Sequence, residues 1–241
     1  FENWPYPMRI ESGRLLAEPG KATITNLRMH GLNGGILTLA GDVDLPEQGP
    51  IDPHLNLTVS QVPIDELLLS SIPAPQDEWL RKLRLAGKLD ATGKIFLVPE
   101  SEQIDFDVQF VAKDVTAVPF DGRYDLRQMA GKVTIGRGRV VIDELHAEHE
   151  ASQLSLSGGA TFTGPNEGVR LRIGGKQLRV EDPVLDLIPQ DFGGTQVQRV
   201  RDMIAQRRAT GVYDTKASID IAPEKPVDFT VAISQIGRAH V

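Results

Sequence analysis

The sequence predicts a mainly β protein: an extended antiparallel sheet built from two tandem copies of a strand-rich repeat, each with one short helix. Three observations support this fold class. Apolar and polar residues alternate with a period of two, glycine and proline interrupt the alternating runs, and one set of landmarks recurs roughly 117 residues later. The alternation predicts the strands, the interruptions predict how they connect, and the recurrence predicts the number of copies.

Alternation is clearest at residues 103–110, where Ile104, Phe106, Val108 and Phe110 are separated by polar residues. Successive side chains of a strand point to opposite faces, so this run predicts a strand with one apolar and one polar face. The same pattern occurs at residues 55–59, 154–156, 169–173 and 227–231.

Glycine and proline separate these runs at intervals of 8 to 15 residues, as at Gly49-Pro50 and Gly164-Pro165. Most intervals are too short for the helix that a parallel crossover needs, so consecutive strands are expected to pair antiparallel in a meander. Two intervals carry apolar residues at helical spacing, and a short helix is expected near residues 75–83 and near residues 195–208.

Two Ile-Pro steps anchor the recurrence: Ile72-Pro73 and Ile188-Pro189 stand at an offset of 116 residues. Further landmarks agree, namely Gly20-Lys21 with Gly138-Arg139 at 118, Leu39-Ala40-Gly41 with Leu156-Ser157-Gly158 at 117, and Gly87 and Asp90 with Gly211 and Asp214 at 124. About eight extra residues in the second helical segment explain the larger offset. No Ser- or Pro-rich linker separates the copies, which favours one continuous sheet over two separate sandwiches.

The first repeat is therefore assigned to residues 1–125 and the second to residues 126–235. Residues 236–241 match what a sequencing-library adapter encodes, and they are interpreted as an artefact of that origin. The chain begins at Phe1 within a strand-like pattern and is interpreted as a segment of a longer protein.

Composition argues against several classes of function. The net charge is -7 and the 26 Lys and Arg residues are scattered, so nucleic acid is not an expected partner. There is no cysteine, which excludes disulfides, thiolate nucleophiles and cysteine-based metal sites. No apolar run reaches the roughly 18 residues that span a bilayer.

Candidate catalytic and metal-binding groups are few. His146 and His149 are three residues apart and would face opposite sides of a strand, so they could share a metal only at a helix or turn. The carboxylate pairs Asp42/Asp44 and Asp105/Asp107 are expected on polar strand faces. No catalytic, cofactor-binding or metal-binding residue is predicted, and the chain is predicted not to be an enzyme.

Several segments resemble the AsmA-like and TamB-like proteins of the bacterial envelope. They are residues 85–95, 114–119, 129–135, 140–142 and 154–160, and the last of them closes on Leu154-Ser155-Leu156-Ser157-Gly158. The resemblance implies a curved sheet lined with apolar side chains, and a parent protein anchored at the inner membrane that reaches across the periplasm towards the outer membrane. It also implies that phospholipid acyl chains occupy the groove.

The expected function is thus non-enzymatic phospholipid handling or transport between inner and outer membranes on an apolar β-groove, with envelope proteins as possible partners. The alternative is a structural or protein-binding β-repeat, closed into sandwiches, in envelope assembly. The residues expected to face lipid are Leu55, Leu57, Val59, Ile104, Phe106, Val108, Phe110, Leu154, Leu156, Val169, Leu171, Ile173, Val227, Phe229 and Val231.

Overall fold

The computed structural model of the chain describes residues 6–70, 81–99, 101–118, 124–136, 138–162, 167–179, 202, 211–223, 225 and 228–235. Within these residues it forms twelve strands: β1 (Met8–Glu18), β2 (Lys21–Gly31), β3 (Ile36–Asp44), β4 (Asp52–Pro63), β5 (Lys88–Val98), β6 (Gln103–Ala117), β7 (Leu126–Gly136), β8 (Arg139–His149), β9 (Ser152–Thr161), β10 (Gly168–Arg179), β11 (Val212–Ile221) and β12 (Asp228–Gln235).

All twelve strands belong to one curved, open antiparallel sheet, and their order in the sheet is their order in the chain. This confirms the predicted fold class. Each strand pairs only with its sequence neighbours, so the described strands do not stack into a sandwich. Short connections suffice because every strand reverses direction beside the previous one.

Helical structure is limited in the described residues. Helix α1 (Glu66–Ser70) follows β4, and residues 81–83 are also helical. Most of the helix predicted near residues 75–83 lies outside the described residues, as does all of the helix predicted near 195–208 except Asp202, which is helical.

The strand pairing brings alternate residues of neighbouring strands onto a shared face. Directly opposite residues of an antiparallel pair point to the same side of the sheet. Leu39 lies opposite Leu57, which lies opposite Gly93. Gly93 lies opposite Val108, and Val108 lies opposite Ile135. One face of the sheet is therefore apolar from strand to strand.

The opposite face is polar and carries ion pairs between neighbouring strands. Lys21 Nζ lies 3.2 Å from Asp42 Oδ2, and Arg170 Nε lies 3.1 Å from Asp220 Oδ2. These side chains are largely exposed, and such pairs add little to stability. These charged side chains keep the polar face hydrated, so another layer is not expected to pack against this face.

The strand ladders themselves repeat. Ile24 lies opposite Gly41 and Leu27 opposite Leu39, with a bulge between them; Ile142 lies opposite Gly158 and Leu145 opposite Leu156, again with a bulge between them. Gly41 and Gly158 both have positive φ, 142° and 126°, and a Cβ at either would collide with a carbonyl oxygen of the next strand. The recurring glycine therefore serves a recurring close approach between strands.

A second recurring device lies at the bulges of β4 and β10. Gln61 and Gln177 have left-handed φ values of 55° and 53°. The two residues are separated by the same offset of 116 as the two Ile-Pro steps. The backbone N–H of Gln61 donates to Asp90 Oδ1 at 2.9 Å, and that of Gln177 donates to Asp214 Oδ1 at 2.9 Å. A bulge leaves one backbone donor outside the ladder, and the carboxylate satisfies it.

The first of these carboxylates is held in its charged form. The pKa of Asp90 lies below its usual range, chiefly because the carboxylate accepts the backbone hydrogen bond from Gln61, and secondarily because Lys113 Nζ lies 3.4 Å away. Desolvation opposes this shift without reversing it.

Replacing either capping carboxylate with alanine should weaken the fold. Asp90→Ala and Asp214→Ala are each expected to lower the free energy of unfolding by about 1 kcal/mol, because each leaves a backbone N–H without its acceptor. The measurement is urea unfolding followed by circular dichroism. Asp90→Asn and Asp214→Asn retain an acceptor oxygen and are the matched controls. An alanine variant no less stable than its asparagine control would contradict the capping role.

The contribution of Asp90 should depend on pH in a defined direction. Its pKa in the folded state is depressed, so its stabilisation is fully present above the unfolded pKa of about 4 and is lost as pH falls through the lower folded pKa. The difference in unfolding free energy between the natural chain and Asp90→Asn, measured from pH 7 downwards, should hold above about pH 5 and change only in the acidic window below about pH 4. A change centred near neutral pH would contradict this assignment.

Candidate functional site: an exposed apolar face

The candidate site is the apolar side of the sheet, called here the apolar face. It runs without interruption across all twelve strands. Its members, assigned from strand pairing, include Ile10 and Leu15 of β1; Ile24, Leu27 and Met29 of β2; Leu37, Leu39 and Val43 of β3; Leu55, Leu57, Val59 and Val62 of β4; Leu89, Ala91, Ile95 and Leu97 of β5; Ile104, Phe106, Val108 and Phe110 of β6; Met129, Val133 and Ile135 of β7; Val140, Ile142 and Leu145 of β8; Leu154 and Leu156 of β9; Val169, Leu171, Ile173 and Leu178 of β10; Ala217, Ile219 and Ile221 of β11; and Val231 and Ile233 of β12.

The residues predicted from sequence to face lipid come together on this surface. Every one whose side chain the structure describes, from Leu55 of β4 to Val231 of β12, lies on the apolar face. The backbone of Phe229 pairs with Ile219. Val227 lies outside the described residues.

Large apolar side chains on this face remain open to solvent. Ile104 and Phe106 are 59% and 45% exposed, and Val231 and Ile233 near the other end are 38% and 50% exposed. No described strand or helix lies over them, since each strand contacts essentially its own sheet neighbours. Exposed apolar patches of this extent are typical of surfaces that bind another molecule.

Other members of the same face are well buried. Val108 is 7% exposed and Leu55 is 8% exposed, although neither has a covering layer among the described residues. Side chains crowd together on the concave side of a curved sheet, and the burial of Val108 and Leu55 fits that position. We infer that the apolar face lies on the concave side and lines a groove.

A buried tyrosine precedes the first strand of each repeat. Tyr6 is 5% exposed and Tyr124 is 1% exposed, and the two are separated by the same 118-residue offset as Gly20 and Gly138. Tyr124 stacks on His149, with ring centroids 3.9 Å apart, and belongs to a cluster with Leu178. Both tyrosines lie at the edge of the sheet where β1 and β7 begin, the same edge at which the bulged ends of β4 and β10 lie.

Neither tyrosine was predicted from the sequence. Neither lies in a run of alternating apolar and polar residues, so that pattern could not point to them. Their separation of 118 residues, the same as that of Gly20 and Gly138, is the signal that could have found them. Burial raises the pKa of the Tyr6 hydroxyl, with a smaller contribution from Asp65. The hydroxyl therefore stays protonated across the physiological pH range.

The two candidate histidines lie on opposite faces of β8, as predicted. His146 lies opposite Ser155 on the polar face, with its Nε2 atom 3.1 Å from Glu144 Oε1. His149 turns to the other side, where its Nδ1 atom lies 2.7 Å from the carbonyl oxygen of Asp125. They do not share a ligand position.

One group of potential metal ligands lies on the polar face of the β3–β4 hairpin. The ligand atoms of Asp44, Asp52 and His54 all lie within 4.8 Å of one another. His54 Nε2 lies 3.4 Å from Asp52 Oδ2 and 3.9 Å from Asp44 Oδ2, and the side chains are exposed. Pairing of the His54 imidazole with the two carboxylates accounts for the arrangement. Asp42, on the same strand as Asp44, accepts a hydrogen bond from the Thr23 hydroxyl and forms an ion pair with Lys21.

Comparisons with known proteins return no family model, no curated protein and no solved structure that matches this chain. In the part of the chain that the structure describes, no helix has the length and apolar character needed to cross a membrane. The class defined by the fold is thus a single-layer, open antiparallel sheet with one exposed apolar face.

Truncations along the apolar face should reveal how much of it is covered in solution. Leu178 is fully buried, so Leu178→Ala should lower the free energy of unfolding of the protein by about 2–5 kcal/mol, because the change leaves a cavity. Ile104→Ala should cost less than about 1 kcal/mol, since the side chain is mostly in water. Urea unfolding measures both. Equal losses would mean that the face around Ile104 is covered, contrary to the open groove.

Proposed function

We propose that the apolar face binds the acyl chains of phospholipids and that the chain is a non-enzymatic lipid-handling segment. The observation that carries the proposal is the unbroken apolar lining of a single-layer sheet, with residues such as Phe106 and Ile104 exposed to solvent. The resemblance to AsmA-like and TamB-like proteins supports the same proposal. By that resemblance, the parent protein is anchored at the inner membrane and lies in the bacterial periplasm.

Energetics favour an apolar ligand on this surface. Covering exposed apolar area gains roughly 25 cal/mol per Å², and each buried methylene of an acyl chain gains about 0.8 kcal/mol. A ligand that covered the side chains of Ile104 and Phe106 would remove both from water at once, since they are alternate residues of one strand. A flexible hydrocarbon fits because most of the side chains that the described strands place on this face are apolar.

The dimensions of the sheet suit a passage for chains. Neighbouring strands lie about 4.8 Å apart, so a twelve-stranded sheet is on the order of 50 Å wide. An acyl chain spans about half of a roughly 30 Å hydrocarbon core. Several acyl chains can therefore occupy the groove side by side, and one chain can move along it without meeting a polar interruption.

The alternative is a structural or protein-binding role in envelope assembly. Exposed apolar side chains such as Phe106 are also compatible with it, because such surfaces bind proteins as well as lipids. The closed sandwiches of that alternative are not formed by the described strands, so it is kept only as protein binding on the apolar face.

Face-specific photo-crosslinking tests the lipid proposal. The photoreactive residue p-benzoylphenylalanine replaces Ile104 or Phe106 on the apolar face, and Gln103 or Thr92 on the polar face as matched controls. The purified full chain is irradiated with phosphatidylethanolamine vesicles carrying a fluorescent headgroup. We expect at least about fivefold more lipid adduct from the apolar positions, because bound acyl chains would contact only that face. Mass spectrometry of lipid that co-purifies from bacteria gives an independent readout.

Two results would overturn the proposal: equal adduct from both faces, or no adduct and no co-purified lipid from a chain with intact β-sheet circular dichroism. Phe106→Glu should reduce co-purified lipid several-fold, whereas Gln103→Glu, the same added charge on the polar face, should leave it unchanged. No lipid with retained capture of envelope protein would favour the alternative.

A further inference from the structure

The turn between β2 and β3, residues 32–35, carries a modification site: we propose that Asn33 deamidates spontaneously and that Asp65 slows the reaction by holding the Asn33 side chain. The modification exchanges an amide for a carboxyl group at a point where the turn meets helix α1. The proposal concerns this turn and does not depend on which molecule the apolar face binds.

The sequence around Asn33 favours the reaction. The chain has five asparagines, and Asn33 is the only one that glycine follows. Deamidation begins when the backbone nitrogen of the following residue attacks the Cγ atom of asparagine. A side chain on that following residue hinders the attack, and glycine has none. Gly34 therefore supplies the least hindered nucleophile of this kind in the chain.

The backbone of the turn is open to solvent. Asn33 and Gly34 are exposed, and no atom lies within 4 Å of the place where a Cβ of Gly34 would stand. The Gly34 N–H donates to the carbonyl oxygen of Gly31 at 3.2 Å, the long end of the range for such a bond. Water and hydroxide can therefore reach the attacking nitrogen, and its hydrogen bond restrains it only weakly.

The Asn33 side chain, by contrast, is held in place. Its Nδ2 atom donates to Asp65 Oδ2 at 2.6 Å. The other oxygen of this carboxylate, Oδ1, accepts the backbone N–H of Leu68 at 2.9 Å and so caps the start of α1. Ring closure needs the Asn33 side chain to leave Asp65 and approach the Gly34 nitrogen. Because the bond that must break is short and charge-assisted, Asp65 slows the reaction.

The reaction balances with water as the only other reactant. The Gly34 nitrogen gives its proton to solvent and forms a bond to Asn33 Cγ. The bond from Cγ to Nδ2 breaks, and Nδ2 takes up a proton and leaves as ammonia. Water then opens the cyclic succinimide at one of its two carbonyl carbons. One opening gives aspartate and the other gives isoaspartate, so either product carries a carboxylate at residue 33.

The product would separate the turn from α1. A carboxylate at residue 33 has no N–H to donate to Asp65, and the two like charges repel each other. The same turn also packs against Tyr6, since a Cβ at Gly31 would lie 2.8 Å from the Tyr6 hydroxyl oxygen. Deamidation is therefore expected to loosen the turn and the packing of Tyr6 beside it.

Peptide mapping by mass spectrometry measures the modification in the full chain, held at mildly alkaline pH to favour deprotonation of the backbone nitrogen. We expect Asn33 to convert first. Asn56, which lies within β4 and precedes a leucine, is the internal control. Asp65→Ser keeps a capping hydroxyl for α1 but removes the acceptor for Asn33. It should speed conversion at Asn33 several-fold and leave Asn56 unchanged.

Urea unfolding of two further variants measures the consequence. Asn33→Asp imitates the aspartate product and should lower the folding equilibrium constant several-fold, because a hydrogen bond to a charged group is lost. Combining Asn33→Asp with Asp65→Asn exchanges the two side chains, so that the introduced amide can donate to the introduced carboxylate. This double variant should recover most of the lost stability, and Asp65→Asn alone completes the comparison.

Three results would refute the proposal. One is conversion of Asn56 ahead of Asn33. Another is an unchanged or slower rate at Asn33 in an Asp65→Ser variant with intact β-sheet circular dichroism. The third is an Asn33→Asp variant as stable as the natural chain, or one that Asp65→Asn fails to rescue.

Discussion

Antiparallel pairing in strict sequence order is the constraint on which the rest of this structure depends. Because each strand neighbours only the strands before and after it, the described strands form one layer, and none of them covers the apolar side. Among the described residues, the neighbours of an apolar side chain are therefore other side chains of the same face. Val108 is only 7% exposed, while Ile104 and Phe106, nearer the start of β6, are 59% and 45% exposed.

Register makes this arrangement possible, and the bulges control register. A slip of one residue would move every apolar side chain of a strand to the polar face. Each bulge absorbs one residue and returns the next apolar side chain to the correct side, as Leu178 does after Gln177. The carboxylates of Asp90 and Asp214 satisfy the backbone donors that the bulges release, so polar residues maintain the continuity of the apolar face.

The two ends of the strands differ in how far their apolar side chains are buried. Tyr124 and Leu178 form a small buried cluster at the bulged end of the sheet, where the longer connections from β6 to β7 and from β10 to β11 also lie. Towards the opposite ends of the strands, at residues such as Ile104, connections are short turns and nothing among the described residues covers the face. A groove with one packed end and an exposed lining is the direct result.

The sequence by itself predicted a mainly β chain of antiparallel strands and the shared face of residues such as Phe106 and Leu171, because alternation is a local signal. The runs at residues 103–110 and 169–173 needed only period two to be placed correctly. Only the tertiary structure decided that Ile104 and Phe106 are exposed, that Tyr6 and Tyr124 are buried, and that Asp90 and Asp214 cap the bulges. Those features depend on contacts between residues far apart in the chain, and a pattern read along one strand does not contain them.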